Sequence, residues 1–128
     1  LLIFSVLLVC TLAAVMQQAA KVGDKVELSI PGAYTWSRTV GGKKQTIVRC
    51  SSANVPVNCN KWIDQNGNPV PTASRPSVKK FGILWIWNVT LADAGSYSSP
   101  NAKPKGTKNA DGSVSKSAPS MIKLIVMP

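Results

Sequence analysis

A chain of 128 residues has room for one hydrophobic core, and its 45% hydrophobic and 16% charged residues are those of a globular rather than a disordered protein. Fifteen basic against five acidic residues give a formal net charge of +10, and there is no histidine. Acid–base catalysis near neutral pH draws on histidine or a tuned carboxylate. The composition therefore argues against an enzyme, and no cofactor is expected.

The chain opens with "LLIFSVLLVCTLAAVM", runs on into "QQAA", and carries no charge before Lys21. An apolar run trailing into small residues is the pattern of a secretory signal peptide. We therefore expect a signal peptide over 1–20, cleaved between Ala14 and Lys21, ahead of a single domain over 21–128. A membrane anchor is the competing reading, but the run is shorter than the about 20 apolar residues a spanning helix needs. There is no initiator Met and no basic leader, so the signal sequence is expected to be incomplete at its start. No second apolar run of that length follows, so the mature chain is expected to be secreted, with no transmembrane segment.

Removing the leader removes Cys10 and leaves Cys50 and Cys59 as an even pair in an oxidising compartment, where they are expected to form a disulfide. Zinc is the alternative, but two cysteines without histidine do not complete a tetrahedral shell.

Beyond Lys21 the periodicity is two, with short β-branched and aromatic runs between Gly, Pro, Asn and Ser. "KVELSI" puts Val26, Leu28 and Ile30 on one face, and "PG" turns the chain into "AYTWSR". "VGGKK" is too short for a phosphate loop and reads as a hairpin turn before "KQTIVRC". "SVKKF", "ILWIWNV", "GSYSSP" and "MIKLIVM" follow, and about seven or eight such strands predict a β-sandwich. The polar stretch 103–117, "KPKGTKNADGSVSKS", reads as a long loop with Asp111-Gly112 at its tip.

Leu84, Ile86, Val89, Asp93, Gly95 and Tyr97 reproduce the Leu-x-Ile-x-x-Val-x-x-x-Asp-x-Gly-x-Tyr signature of immunoglobulin-like domains, and the chain resembles that family. The resemblance implies an all-β, immunoglobulin-like sandwich of two antiparallel sheets. Leu84, Ile86 and Val89 then face the core, Gly95 permits the bend at the sheet corner, Tyr97 forms the tyrosine corner, and Arg75 pairs with Asp93. "GDKVELSI" looks like the second strand, with Ile30 at its cysteine position, and Trp36 resembles the core tryptophan of the third. Ser99 stands at the other cysteine position, so the domain is expected to lack the usual inter-sheet disulfide. In chain-entropy terms a bridge between positions 30 and 99 is worth about 4.4 kcal/mol and one between Cys50 and Cys59 about 2.7. Only five residues separate Ile30 from Trp36, which predicts an atypical arrangement of the second and third strands. Residues 22–126, through "VGDKVEL", Trp36, Cys50, "CNKW", "DAGSYSSP" and "DGSVS", also resemble small secreted nematode proteins with one immunoglobulin-like domain and no known activity.

Two surface features remain as candidate binding sites. If Leu84 and Ile86 face inward, Ile83, Trp85 and Trp87 face outward together, and paired surface tryptophans invite a partner. A glycan at the Asn88-Val89-Thr90 sequon, or lysine stems, are the alternative cover. The second feature is charge: Lys103, Lys105, Lys108 and Lys116 flank the predicted loop. They serve either solubility or attraction to polyanions such as glycosaminoglycans, acidic proteins or anionic lipid. Nucleic acid is not favoured, since no aromatics interleave with these lysines. The resulting expectation is a secreted, non-catalytic recognition module for an extracellular protein or glycan. The alternative is a cationic effector acting through charge. Asp24, Glu27 and Asp64 are expected to be solvated surface.

Overall fold

The structure, a computed structural model, describes residues 15–50, 58–101, 106–108, 114–116 and 121–128. The strands are β1 (Val15–Lys21), β2 (Val26–Ser29), β3 (Thr35–Val40), β4 (Lys43–Val48), β5 (Arg75–Lys79), β6 (Ile83–Trp87), β7 (Gly95–Ser98), β8 (Gly106–Lys108), β9 (Val114–Lys116) and β10 (Met121–Met127). Single 3-10 turns at Lys80–Gly82 and Leu91–Asp93 complete the elements. One sheet has the order β1-β10-β7-β3-β4, a second β2-β6-β5, and β8 pairs with β9 in a separate ribbon. The second, sixth and fifth strands in one sheet, facing a sheet built on β10, β7, β3 and β4, is the connectivity of an immunoglobulin-like sandwich with an added strand beside the third.

Alternation builds both inner faces. Val26 and Leu28 on β2, Leu84 and Ile86 on β6, and Ile122 and Leu124 on β10 are buried, while their neighbours along each strand are not. With Trp36, Ile47, Trp62, Val89 and Tyr97 they form one continuous core. Neither Trp36 nor Trp62 finds a hydrogen-bond partner for its indole N–H among the described residues.

Several expectations are corrected by the fold. The five-stranded sheet is not wholly antiparallel, because β1 runs parallel to β10 through seven paired positions, Val15↔Met121 to Lys21↔Met127. Its direction follows from the turn at 22–25, where Asp24 N–H donates to Lys21 O and the chain crosses to β2 in the other sheet. β1 lies almost entirely within the stretch expected to be leader, and Ala20 is part of the core. Residues 1–14 lie outside the described residues.

The short Ile30-to-Trp36 connection does not alter the strand arrangement. β2 and β3 lie in different sheets, and a tight turn closed by Ala33 N–H to Ile30 O makes the crossing, with Gly32 at φ +82°. The next close approach is on the other side of Ile30, whose N–H donates to Gly82 O at 2.8 Å. Gly41 and Gly42, both at positive φ, form the two-residue link between Val40 and Lys43 that the primed hairpin turns require. Within 103–117, expected to be one loop, β8 and β9 pair antiparallel, and Asp111-Gly112 lies outside the described residues.

The sandwich is not without a disulfide. Cys50 and Cys59 are bonded, with Cα atoms 5.0 Å apart, in the connection that leaves β4. Ile30 is buried, and Ser99 Oγ donates to Thr35 O at 2.6 Å.

Candidate functional site: the outer face of the three-stranded sheet

The outer side of β2-β6-β5 carries an aromatic stripe. Ile83, Trp85 and Trp87 alternate with buried Leu84 and Ile86 and are half-buried themselves. The two indoles meet edge to face, with centroids 5.5 Å apart and planes at 78°. Residues two apart on a strand share a face, so the local sequence alone brings the rings together.

The flanking strands decide what surrounds them. Glu27 on β2 pairs with Trp85, and its Oε1 accepts the Trp85 Nε1–H at 3.0 Å. Lys25, just before β2, places Nζ 4.0 Å from the Trp85 ring centre and 4.6 Å from that of Trp87. From the other side Lys79 on β5 puts its Nζ 5.3 Å from Trp85, and Arg75 pairs with Trp87 in the register. Lysine stems thus cover part of the indole surface, while their ammoniums lie against the electron-rich ring faces.

Asp93 is not paired with Arg75, which is exposed at the edge of this face. Its partner is Arg38 on β3, with Nη1 to Oδ1 at 2.8 Å and side chains only 2% and 1% exposed. Arg38 has the inward parity of Trp36, two residues before it, whereas Arg75 has the outward parity of Trp87. Ser74 Oγ also donates to Asp93 Oδ1, and Thr90 N–H to Oδ2. Tyr97 OH donates to Asp93 O at 2.6 Å and accepts from Arg38 Nη1. Arg38 Nε donates to Gln45, and its guanidinium carbon lies 4.0 Å from the Trp62 ring centre. Burial first, offset by the positive charge of Arg38, pushes the Tyr97 phenol up to about 12. An open cleft of about 790 Å³ reaches this cluster between Val22, Val40, Pro71 and Leu91. Its floor groups are spent on one another, so the cluster stiffens the fold.

The remaining predicted positions fall elsewhere. Asn88 is exposed at φ +56°, next to Trp87, and the Thr90 hydroxyl of its sequon bonds Asp93 Oδ2. Lys108 and Lys116 belong to the β8-β9 ribbon, their side chains outside the described residues, as are Lys103 and Lys105. Gly95 and Tyr97 sit on β7, the latter buried, and Trp36 is fully buried. Sequence reasoning missed Arg38, Trp62, Lys25 and Lys79. The three carboxylates expected to be merely solvated make specific contacts: Glu27 holds Trp85, Asp24 accepts Lys21 N–H, and Asp64 accepts the N–H groups of Asn66 and Asn68. Among the described residues no helix is long and apolar enough to cross a membrane, and no group of three or more His, Cys, Asp or Glu is placed to hold a metal ion.

No family model matches the sequence, and no curated protein matches it. Among solved structures, the chain is similar to the extracellular fragment of novel immune-type receptor 10 from Ictalurus punctatus, at 18% identity and a TM-score of 0.48, over 87% of this chain and 96% of that one. It is also similar to the extracellular fragment, including the stalk region, of novel immune-type receptor 11 from the same fish (18%, TM-score 0.48, 89% and 86%) and to murine CRIg (16%, TM-score 0.41, 88% and 92%).

Proposed function

We propose that this chain is a secreted, non-catalytic recognition module and that the outer face of β2-β6-β5 is its contact surface, engaging an extracellular protein or glycan. The observation that carries the reading is the Trp85–Trp87 pair at the centre of an open sheet face, with Lys25, Lys79 and Glu27 in direct contact with the rings. Large aromatic side chains on an accessible face supply most of the binding energy in specific contacts. Asn88, exposed just past the end of β6, is the glycan acceptor in this reading. In this reading the leader ends ahead of Val15, which the pairing of β1 with β10 and the burial of Ala20 support.

The net charge of +10 favours a second reading, a cationic effector drawn to polyanions by charge alone. Proximity labelling with the secreted protein, followed by binding measurements on the labelled partner, separates the two. A contact surface gives saturable binding that persists at physiological salt and is lost in Trp87→Ala. Charge-driven association falls steeply with salt and ignores that substitution.

A further inference from the structure

The geometry points to an acidic carbohydrate as the ligand of this face: we infer that sugar rings bearing sulfate or carboxylate groups stack on Trp85 and Trp87 while Lys25, Arg75 and Lys79 take the anionic groups. The inference rests on the contact-surface reading above and narrows it to one ligand chemistry. Arg75 and Lys79 stand opposite Trp87 and Ile83 on β5, Lys25 lies over both indoles from the β2 side, and Glu27 is the one carboxylate among them. Three cations less one carboxylate leave the stripe with a local charge of about +2.

That combination is selective. An apolar protein patch pressed on the stripe would strip water from ammonium and guanidinium groups without pairing them, which is costly. Successive nucleic-acid bases stack on parallel rings, and these two indoles stand at 78° to each other. A pyranose ring offers an apolar C–H face to an indole and carries its sulfate or carboxylate at the ring edge, where the surrounding cations are. Lys25 provides the exchange. Its ammonium rests on the two rings, and a charge-assisted hydrogen bond to an oxyanion is stronger than an exposed cation–π contact. An arriving anion therefore draws Lys25 off the rings and uncovers the indole surface for the sugar. Arg75, exposed at the edge, adds a planar fork suited to two oxygens of one sulfate or carboxylate.

The test is a tryptophan-fluorescence titration of the secreted protein with a heparin oligosaccharide, since Trp36 and Trp62 are buried and the response reports Trp85 and Trp87. We expect saturable binding that Arg75→Gln with Lys79→Gln weakens at least about tenfold, the far-UV circular dichroism remaining unchanged. Replacing Lys103, Lys105, Lys108 and Lys116 by Gln should change it less than about threefold. Desulfated heparin, which keeps its carboxylates, identifies which anion is read. Equal binding of inorganic polyphosphate, or loss of binding in the four-lysine variant but not in the Arg75/Lys79 variant, overturns the inference. So does absence of heparin binding, and if a labelled protein partner is still lost in Trp87→Ala, the contact-surface reading stands without it.

Discussion

Arg38 on β3 and Asp93 ahead of β7 are 55 residues apart in sequence and form a buried ion pair at 2.8 Å across one end of the sandwich. A buried pair is retained only when its remaining polar atoms are satisfied. Here Gln45, Tyr97, Ser74 and Thr90 satisfy them.

Arg38→Gln should therefore destabilise the domain by about 3–5 kcal/mol, because Asp93 is left charged and buried without its partner. Arg75→Gln, on an exposed position, should stay within about 0.5 kcal/mol. Urea unfolding of both variants checks the assignment. A larger cost at Arg75 than at Arg38 would show that the wrong arginine has been paired.

Tyr97 should make the domain sensitive to alkali. Burial favours the neutral phenol, so the unfolded chain loses this proton first. The stability it contributes is complete below about pH 10 and is lost as pH rises towards about 12. In a Tyr34→Phe background Tyr97 is the sole tyrosine, and its ionisation followed in the ultraviolet should occur within that window, together with unfolding. Ionisation at the ordinary pH with the fold intact would contradict the burial.

Cys50 and Cys59 should be found joined in the secreted protein by mass spectrometry without reduction. Replacing both by serine should cost about 2.7 kcal/mol from the freed loop. A free thiol at either position, or a dimer linked through one, would count against the disulfide.

Intact mass of the secreted protein should place its first residue at or before Val15. A product starting at Lys21 would lack β1 and its seven pairings with β10. That product would refute the role given to β1 while leaving export itself in place, whereas retention of the whole run would refute the leader.

Gly82→Ala should be far more damaging than Gly32→Ala. Both glycines lie at φ near +80°, where an L side chain costs about 1–2 kcal/mol. A Cβ at Gly82 would also collide with the Ile30 carbonyl, while one at Gly32 meets nothing within 4 Å. Comparable thermal midpoints for the two variants would refute the close approach between β2 and the turn before β6.

Features that depend on near neighbours are legible along the chain before it folds. Period-two alternation separated Leu84 and Ile86 from Ile83, Trp85 and Trp87, the Gly41-Gly42 pair marked a hairpin, and counting cysteines joined Cys50 to Cys59. These follow from backbone geometry and from how many partners exist. Which arginine meets Asp93 depends on long-range packing, although the parity shared by Trp36 and Arg38 was a usable signal; that packing sets more than the ion pair. It also brought Lys25, Arg75 and Lys79 round the tryptophan pair, because β2, far upstream in sequence, and β5 flank β6 on that face only once the register is set. Nor does composition mark out β1: small and apolar residues suit both a translocated segment and a strand, and the pairing of Val15–Lys21 with β10 is a long-range relationship that no local pattern carries.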